Sequence, residues 1–302
     1  MSAMTGSDRR ELRRRLVGYA LVATAATSWG FWPKILKVAE GLGPLDAKLQ
    51  SAVVLGTLTL VSLPLCLFDR VPKRATARDW AGVAWLGVAD ALNVLLFFGA
   101  YRTTSVGIAV TTHYLTPLFV ALAAPRVLGE PSHPRTTVAA LASFGGLLLL
   151  LRPWSGALSG RDGLGALLGA GSAVFYASNV LVNKRLAGTF SGSELMAYHG
   201  VISTAVLAAI VPASAYHEVT AQSLLVLLGG ALGPGALAGL FFVWGLRRVP
   251  AAHASTLTLL EPLVAVAVAV TTLGESLTIA GALGGVAILV GAFMVVTGAR
   301  PR

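Results

Sequence analysis

The chain has 302 residues, of which 55% are hydrophobic and only 12% charged, with a mean hydropathy of +0.76. A water-soluble domain usually carries about a quarter charged residues, so the solvent for most of this chain is read as lipid. The net charge of +10 would suggest nucleic acid in a soluble protein; here the basic residues sit at the ends of apolar runs, where they set orientation and meet headgroups, and no nucleic-acid partner is expected. Cys66 is the single cysteine and lies in an apolar run, so neither an intramolecular disulfide nor a thiolate metal cluster is available, and no cofactor or metal is expected.

A membrane-spanning helix needs about 20 apolar residues. Ten stretches meet that measure: 15–38, 47–68, 79–100, 104–126, 135–151, 162–184, 193–212, 221–246, 250–272 and 276–298. The basic segment from Arg9 to Arg15 resembles the start of a signal peptide, but the run after it ends in Trp-Gly-Phe-Trp-Pro-Lys without a small-residue cleavage site, so it is read as a retained first span. The connections carry glycine, proline and charge, as at 41–44, 69–74, 129–134 and 188–192. With the amino terminus inside, all but six of the 23 Lys and Arg residues fall on the cytoplasmic side, the exceptions being Lys34, Lys37, Lys48, Arg102, Arg152 and Arg161. That asymmetry predicts both termini in the cytoplasm.

The chain repeats itself. Arg102, Thr116-Pro117, Gly129-Glu130 and Gly146 recur 145 residues later as Arg247, Glu261-Pro262, Gly274-Glu275 and Gly291, and residues 29–37 match 176–184 in spacing. Five spans per copy is an odd number, which forces the copies into opposite orientations. The expected fold is therefore all-α, a polytopic membrane protein of ten helices in two inverted five-helix repeats, a design typical of secondary transporters. The expected division is a basic segment 1–14, a first repeat 15–151, a linker 152–161, a second repeat 162–298 and a tail 299–302.

Ten spans, two five-helix halves, Trp29-Gly30 in the first helix and Pro-x11-Gly-Glu before the last helix of each half together resemble the drug/metabolite transporter superfamily, in its EamA-type branch. The resemblance covers residues 16–298. It implies a carrier of the bacterial inner membrane working by alternating access, with a central cavity lined mainly by helices 1, 3, 4, 6, 8 and 9. Members move amino acids, metabolites, nucleotide-linked sugars or toxic compounds, many with the proton gradient.

Asp90 lies mid-span, where an ionised carboxylate costs a few kcal/mol or more unless it faces a polar cavity. Asn93 shares its helix face, and the pair is a candidate for binding a cation and exchanging a proton; the competing role is an interhelical clamp. Glu261, before Pro262, is a second intramembrane carboxylate, and Thr116-Pro117 is its counterpart, with His113 and Tyr114 just upstream. Pro117, Pro262 and Pro234 are candidate helix breaks, and two breaks related by a repeat point to a central site. Trp29 and Trp32 are candidates to stack on a ligand or to anchor at the interface. Lys34 either snorkels or turns inward to pair with Asp90. Tyr176, Asn179 and Asn183 form one polar stripe on the sixth helix, suited to ligand contact or to helix association. Gly129-Glu130 and Gly274-Glu275 suggest helix starts.

The expected pocket gathers Asp90, Asn93, His113, Tyr114, Asn179 and Glu261, with Asp90 and Glu261 as proton-coupling groups. The expected function is proton-coupled export of a small metabolite, amino acid or drug, the alternatives being proton-independent exchange and, with less support, a channel or membrane enzyme. Catalysis is not expected, since the chain has no phosphate-cradling Gly-x4-Gly-Lys and no metal-spaced cluster. The expected partners are a small-molecule substrate, protons and the lipid bilayer, with the protein a monomer or homodimer.

Overall fold

The computed structural model describes residues 6–298 apart from 70, 72, 73, 132, 157, 158 and 275. Arg70, Lys73, Arg300, Arg302 and the second-repeat Glu275 thus lie outside the described residues.

Ten membrane helices follow one another in chain order. They are α1 (Gly6–Trp29, continued by Trp32–Glu40), α2 (Ala47–Leu65), α3 (Ala77–Thr103), α4 (Val106–His113 and Thr116–Leu128), α5 (Pro134–Leu151), α6 (Asp162–Leu186), α7 (Gly192–Ala208), α8 (Ala221–Gly230, a π-helical turn Ala231–Leu237, then Ala238–Leu246), α9 (Ala251–Leu257 and Leu260–Leu273) and α10 (Ile279–Thr297). Eight of these are long and apolar enough to cross a membrane by length and composition alone. The other two are α1, whose amino-terminal turns carry the arginines, and α7, which at 17 residues is near the lower limit for a span. The seventh helix ends earlier than the sequence pattern suggests. Residues beyond 208 form a turn and a separate short helix, Ala213–Glu218, where Pro212 cannot continue the helix.

Local chemistry starts these helices where they start. The Asp46 side chain accepts the Lys48 and Leu49 amides at the head of α2, and Thr76 with Asp79 and Ser191 with Glu194 close capping boxes on α3 and α7. Gly129 and Gly274, with φ of 66° and 71°, end α4 and α9 in the left-handed conformation that only glycine adopts without strain.

The packing carries the symmetry. Helix α3 packs on α6 and α1 on α8, while α2 packs on α7 and α5 on α10. Advancing every helix by five converts the α3–α6 contact into α8–α1 and returns α2–α7 and α5–α10 to themselves. That is the pattern of a two-fold axis relating the halves, and an odd number of spans in each half lays the axis in the membrane plane.

Lipid supplies no hydrophobic force between helices, so close backbone approach does that work. At the α5–α10 contact, a Cβ on Gly284 would lie against the Gly146 carbonyl and 2.7 Å from the Leu150 nitrogen. Both neighbours are backbone and cannot swing aside. Gly284→Val should therefore lower stability by about 1–3 kcal/mol or more, seen as a fall in the melting temperature of the detergent-purified protein; an unchanged value would contradict this packing.

Candidate functional site

A cavity of about 200 Å³ opens between the halves. The first half lines it with Trp29, Trp32, Leu58 and Asp90, and the second with Tyr176, Asn179, Asn183, His199, Gly235 and Phe242. Its walls thus come from α1, α2, α3, α6, α7 and α8. This corrects the expectation of α4 and α9 as walls: those helices stand one layer back, and α2 and α7 replace them because the symmetric α2–α7 contact closes that side.

The polar floor is built by helical spacing. Tyr176, Asn179 and Asn183 recur at three and four residues on α6 and so share one face. Asp90 projects from α3, where the Asn179 amide donates to its Oδ1 at 3.4 Å. Its other oxygen lies 3.7 Å from His199 Nε2 on α7, with side-chain exposures of 19% for Asp90 and 6% for His199. Ser203, one turn beyond His199, donates to the His199 carbonyl at 3.2 Å. The Trp29 and Phe242 rings meet at 5.4 Å and form an aromatic wall.

Asn93, His113, Tyr114, Glu261 and Lys34 are not among the lining residues. Asn93 and His113 belong to an interhelical chain: His113 Nδ1 lies 2.8 Å from the Ser172 hydroxyl, which donates to Asn93 Oδ1 at 2.8 Å. The His113 ring stacks on Tyr176 at 5.4 Å and 9°. Behind it the Glu261 carboxylate faces the Tyr114 hydroxyl. Tyr176, stacked on His113 and lining the cavity, joins this second cluster to it. Lys34 is half-buried in the second segment of α1, and the basic partner of Asp90 is His199 instead.

The breaks in α4 and α9 fall at 114–115 and 258–259. In α4 the Thr116 hydroxyl donates to the His113 carbonyl at 2.8 Å, and in α9 the Thr258 hydroxyl donates to the Ser255 carbonyl at 2.7 Å. Pro117 and Pro262 lie just inside the second segments, where a missing N–H costs little. Pro234 differs: α8 stays continuous through a π-helical turn, which absorbs the proline by widening the helix. A further break, at Gly30-Phe31 in α1, has no counterpart in the unbroken α6.

On the face that carries Arg14 and Arg247, Lys184 Nζ donates to the Leu246 and Val249 carbonyls at 2.6 Å each and lies 3.7 Å from Glu130 Oε1. Glu130 in turn accepts the Ala251 amide at 2.8 Å. Pro250 offers no side-chain cap to α9, and the carboxylate of the other half supplies one. The latch joins α4, α6, α8 and α9.

Sequence reasoning passed over two buried histidines. His199 bears on the cavity, while His253 ties α1 to α5 and α9 through Tyr19 at 2.6 Å and Thr136 at 3.0 Å. For His199 the available signal was the His199/Ser203 spacing of four on one face of an apolar helix.

Inverted five-helix repeats around a central polar cavity define a polytopic membrane transporter. The chain belongs to the EamA-like transporter family, whose sequence profile matches residues 16–152 and 163–297. An uncharacterized transporter of Archaeoglobus fulgidus is 27% identical over 234 residues, spanning 77% of this chain and 80% of that protein. A second uncharacterized transporter, from Clostridium kluyveri, is 22% identical over 92% of both chains. A riboflavin transporter of Rhizobium johnstonii is 28% identical over 180 residues, 59% of this chain and 57% of that protein. A solved crystal structure of another protein superposes with a TM-score of 0.79 at 19% identity, covering 94% of this chain and 98% of its own.

Proposed function

We propose that this transporter is a secondary carrier moving a small organic solute through the central cavity by alternating access, with a proton bound at Asp90 supplying the drive. The reading rests on one observation above the others: a carboxylate on the wall of a cavity shared by both halves, whose nearest basic partner is a histidine and not a permanent cation. A permanent cation would keep Asp90 ionised at all working pH values, whereas a histidine leaves the proton exchangeable. The breaks in α4 and α9 and the π-helical turn of α8 give each half backbone that rearranges at little cost. Export from the cytoplasm is the proposed direction, in a cytoplasmic membrane with both termini inside, as the distribution of Lys and Arg suggests. The rings of Trp29, Trp32, Tyr176 and Phe242 suit an aromatic or planar solute, and the riboflavin named for one similar protein belongs in the test panel for that reason.

Gly239 offers a direct test. It lines the cavity, and a Cβ there meets only the Leu58 methyl groups, at 3.4 and 3.8 Å. Gly239→Phe should fill the cavity without disturbing the helix. Solute-dependent thermal stabilisation and flux into proteoliposomes, measured over amino acids, amines, riboflavin and cationic drugs, are both expected to vanish in this variant while the melting temperature without solute is kept. Flux that persists through a filled cavity would show that the solute takes another route.

A further inference from the structure

The tautomer of His199 follows from its contacts. Nδ1 faces the Leu195 carbonyl of its own helix, and because a carbonyl only accepts, Nδ1 carries a hydrogen and donates. Neutral His199 would then aim the bare lone pair of Nε2 at the Asp90 carboxylate 3.7 Å away. Two acceptors facing each other are repulsive, and one proton on either atom turns the repulsion into attraction. The pair therefore holds a single proton and stays neutral overall.

Two more acceptors belong to residues that line the same cavity. Asn179 and Asn183 are 8% and 7% exposed, and their Oδ1 atoms have no hydrogen-bond partner among the described residues. Their amide orientation is determined by what the nitrogens bind: the Asn183 nitrogen donates to the Asn179 carbonyl at 3.0 Å, and the Asn179 nitrogen donates to Asp90. The oxygens are thus the atoms left open, and a buried acceptor without a donor costs about 1–3 kcal/mol. The titratable groups facing the pair from neighbouring helices are Tyr176 of α6 and, beyond it, Glu261 of α9. No lysine or arginine is among the lining residues.

We propose that Asp90 and His199 form a one-proton store that a primary ammonium group displaces, with Asn179 and Asn183 accepting the N–H bonds of the incoming amine. This deepens the carrier reading, on which it rests, by naming the substrate class: organic amines with an aromatic or apolar body that lies against Trp29 and Phe242. The exchange balances. One R–NH3⁺ enters the cavity and one H⁺ leaves the Asp90–His199 pair, so the buried charge is the same before and after. At low pH the proton holds the site against the amine, and raising the pH releases it.

The test uses the full chain in detergent and in proteoliposomes, with 2-phenylethylamine as the probe and 2-phenylethanol as its neutral isostere. A single linked proton changes apparent affinity by up to about tenfold per pH unit, so amine affinity should rise about tenfold or more from about pH 6 to about pH 8. Calorimetry in buffers of different ionisation enthalpy should count about one proton released per amine. The alcohol should bind with no such dependence. His199→Gln, which keeps a group of similar shape but leaves the proton on the Asp90 carboxyl alone, should still release a proton on binding the amine, with the rise in affinity moved to higher pH. Asn183→Leu should lose about tenfold of the preference for amine over alcohol. Failure of the wild-type protein to bind the amine, binding without proton release, or equal affinity for amine and alcohol would overturn the inference, and none of these depends on a variant that folds. Counterflow of amine across the bilayer separates the two readings. Proton release without counterflow would sink the carrier and keep the site, and counterflow without proton release would do the reverse.

Discussion

Asp90→Asn is expected to abolish solute flux driven by a pH gradient, with a loss of about a hundredfold or more, while the protein becomes no less stable. The two halves of this result have one cause. An ionisable group in mid-membrane costs a few kcal/mol, so a neutral side chain of the same shape relieves the helix packing of that burden. Asn keeps an oxygen for the Asn179 amide to bind and keeps the volume beside His199. It cannot take up or release a proton, and a carrier without that step loses its drive and retains exchange only of a neutral solute, an amine being lost with the carboxylate that balances its charge. Flux should be measured in proteoliposomes with and without an imposed gradient, beside equilibrium exchange of labelled neutral solute and a thermal melt. Exchange kept, gradient drive lost and melting temperature held or raised is the signature of a coupling residue. A clamp between helices would show the opposite, a lower melting temperature with residual drive. Gradient-driven flux that survives in a folded variant removes Asp90 from the role.

Lys184→Met should be the most destabilising single substitution on the face that carries Arg14. The ammonium satisfies two backbone carbonyls, those of Leu246 and Val249, and neutralises Glu130, with side-chain exposures of only 19% and 17% for the two charged partners. Methionine fills the space and strands all three acceptors. Removing one member of a buried pair costs about 3–5 kcal/mol, most of it from the charge left behind. Glu130→Gln should cost nearer 1 kcal/mol, since an amide oxygen still accepts the Ala251 N–H and the lysine keeps its two carbonyls. Thermal or denaturant unfolding of the two variants side by side checks the ordering. Equal losses would mean that the carboxylate, and not the carbonyl pair, holds Lys184 in place.

The architecture was legible in the residues for a simple reason. Lipid cannot hydrogen-bond a backbone, so every crossing must be a helix of nearly set length, and ten apolar runs translate into ten helices. The repeat was legible because the prolines, the left-handed glycines and the glutamates that build each half recur at one offset. Asp90, Asn179, Tyr176 and Trp29 could be singled out because a polar or aromatic side chain inside an apolar run is costly or conspicuous wherever it finally points.

Partnership was not legible. Asn93 and Asp90 share a helix face, yet Asn93 is taken up by Ser172 and His113 while Asp90 meets Asn179 and His199. Lys34 was one candidate counter-ion from charge alone, and His199 lay unremarked in the apolar run of the seventh span. The sequence by itself determined the helices, their number, their inverted duplication and the acidic residue at the centre, because each of these follows from local composition and from the demands of the bilayer. Only the tertiary structure decided that α2 and α7 wall the cavity, that α4 and α9 stand behind it, and that a histidine 109 positions along the chain faces Asp90. Those choices depend on how far each helix rotates about its own axis, and that rotation is set by contacts between residues far apart in the chain, such as the glycine faces of α5 and α10.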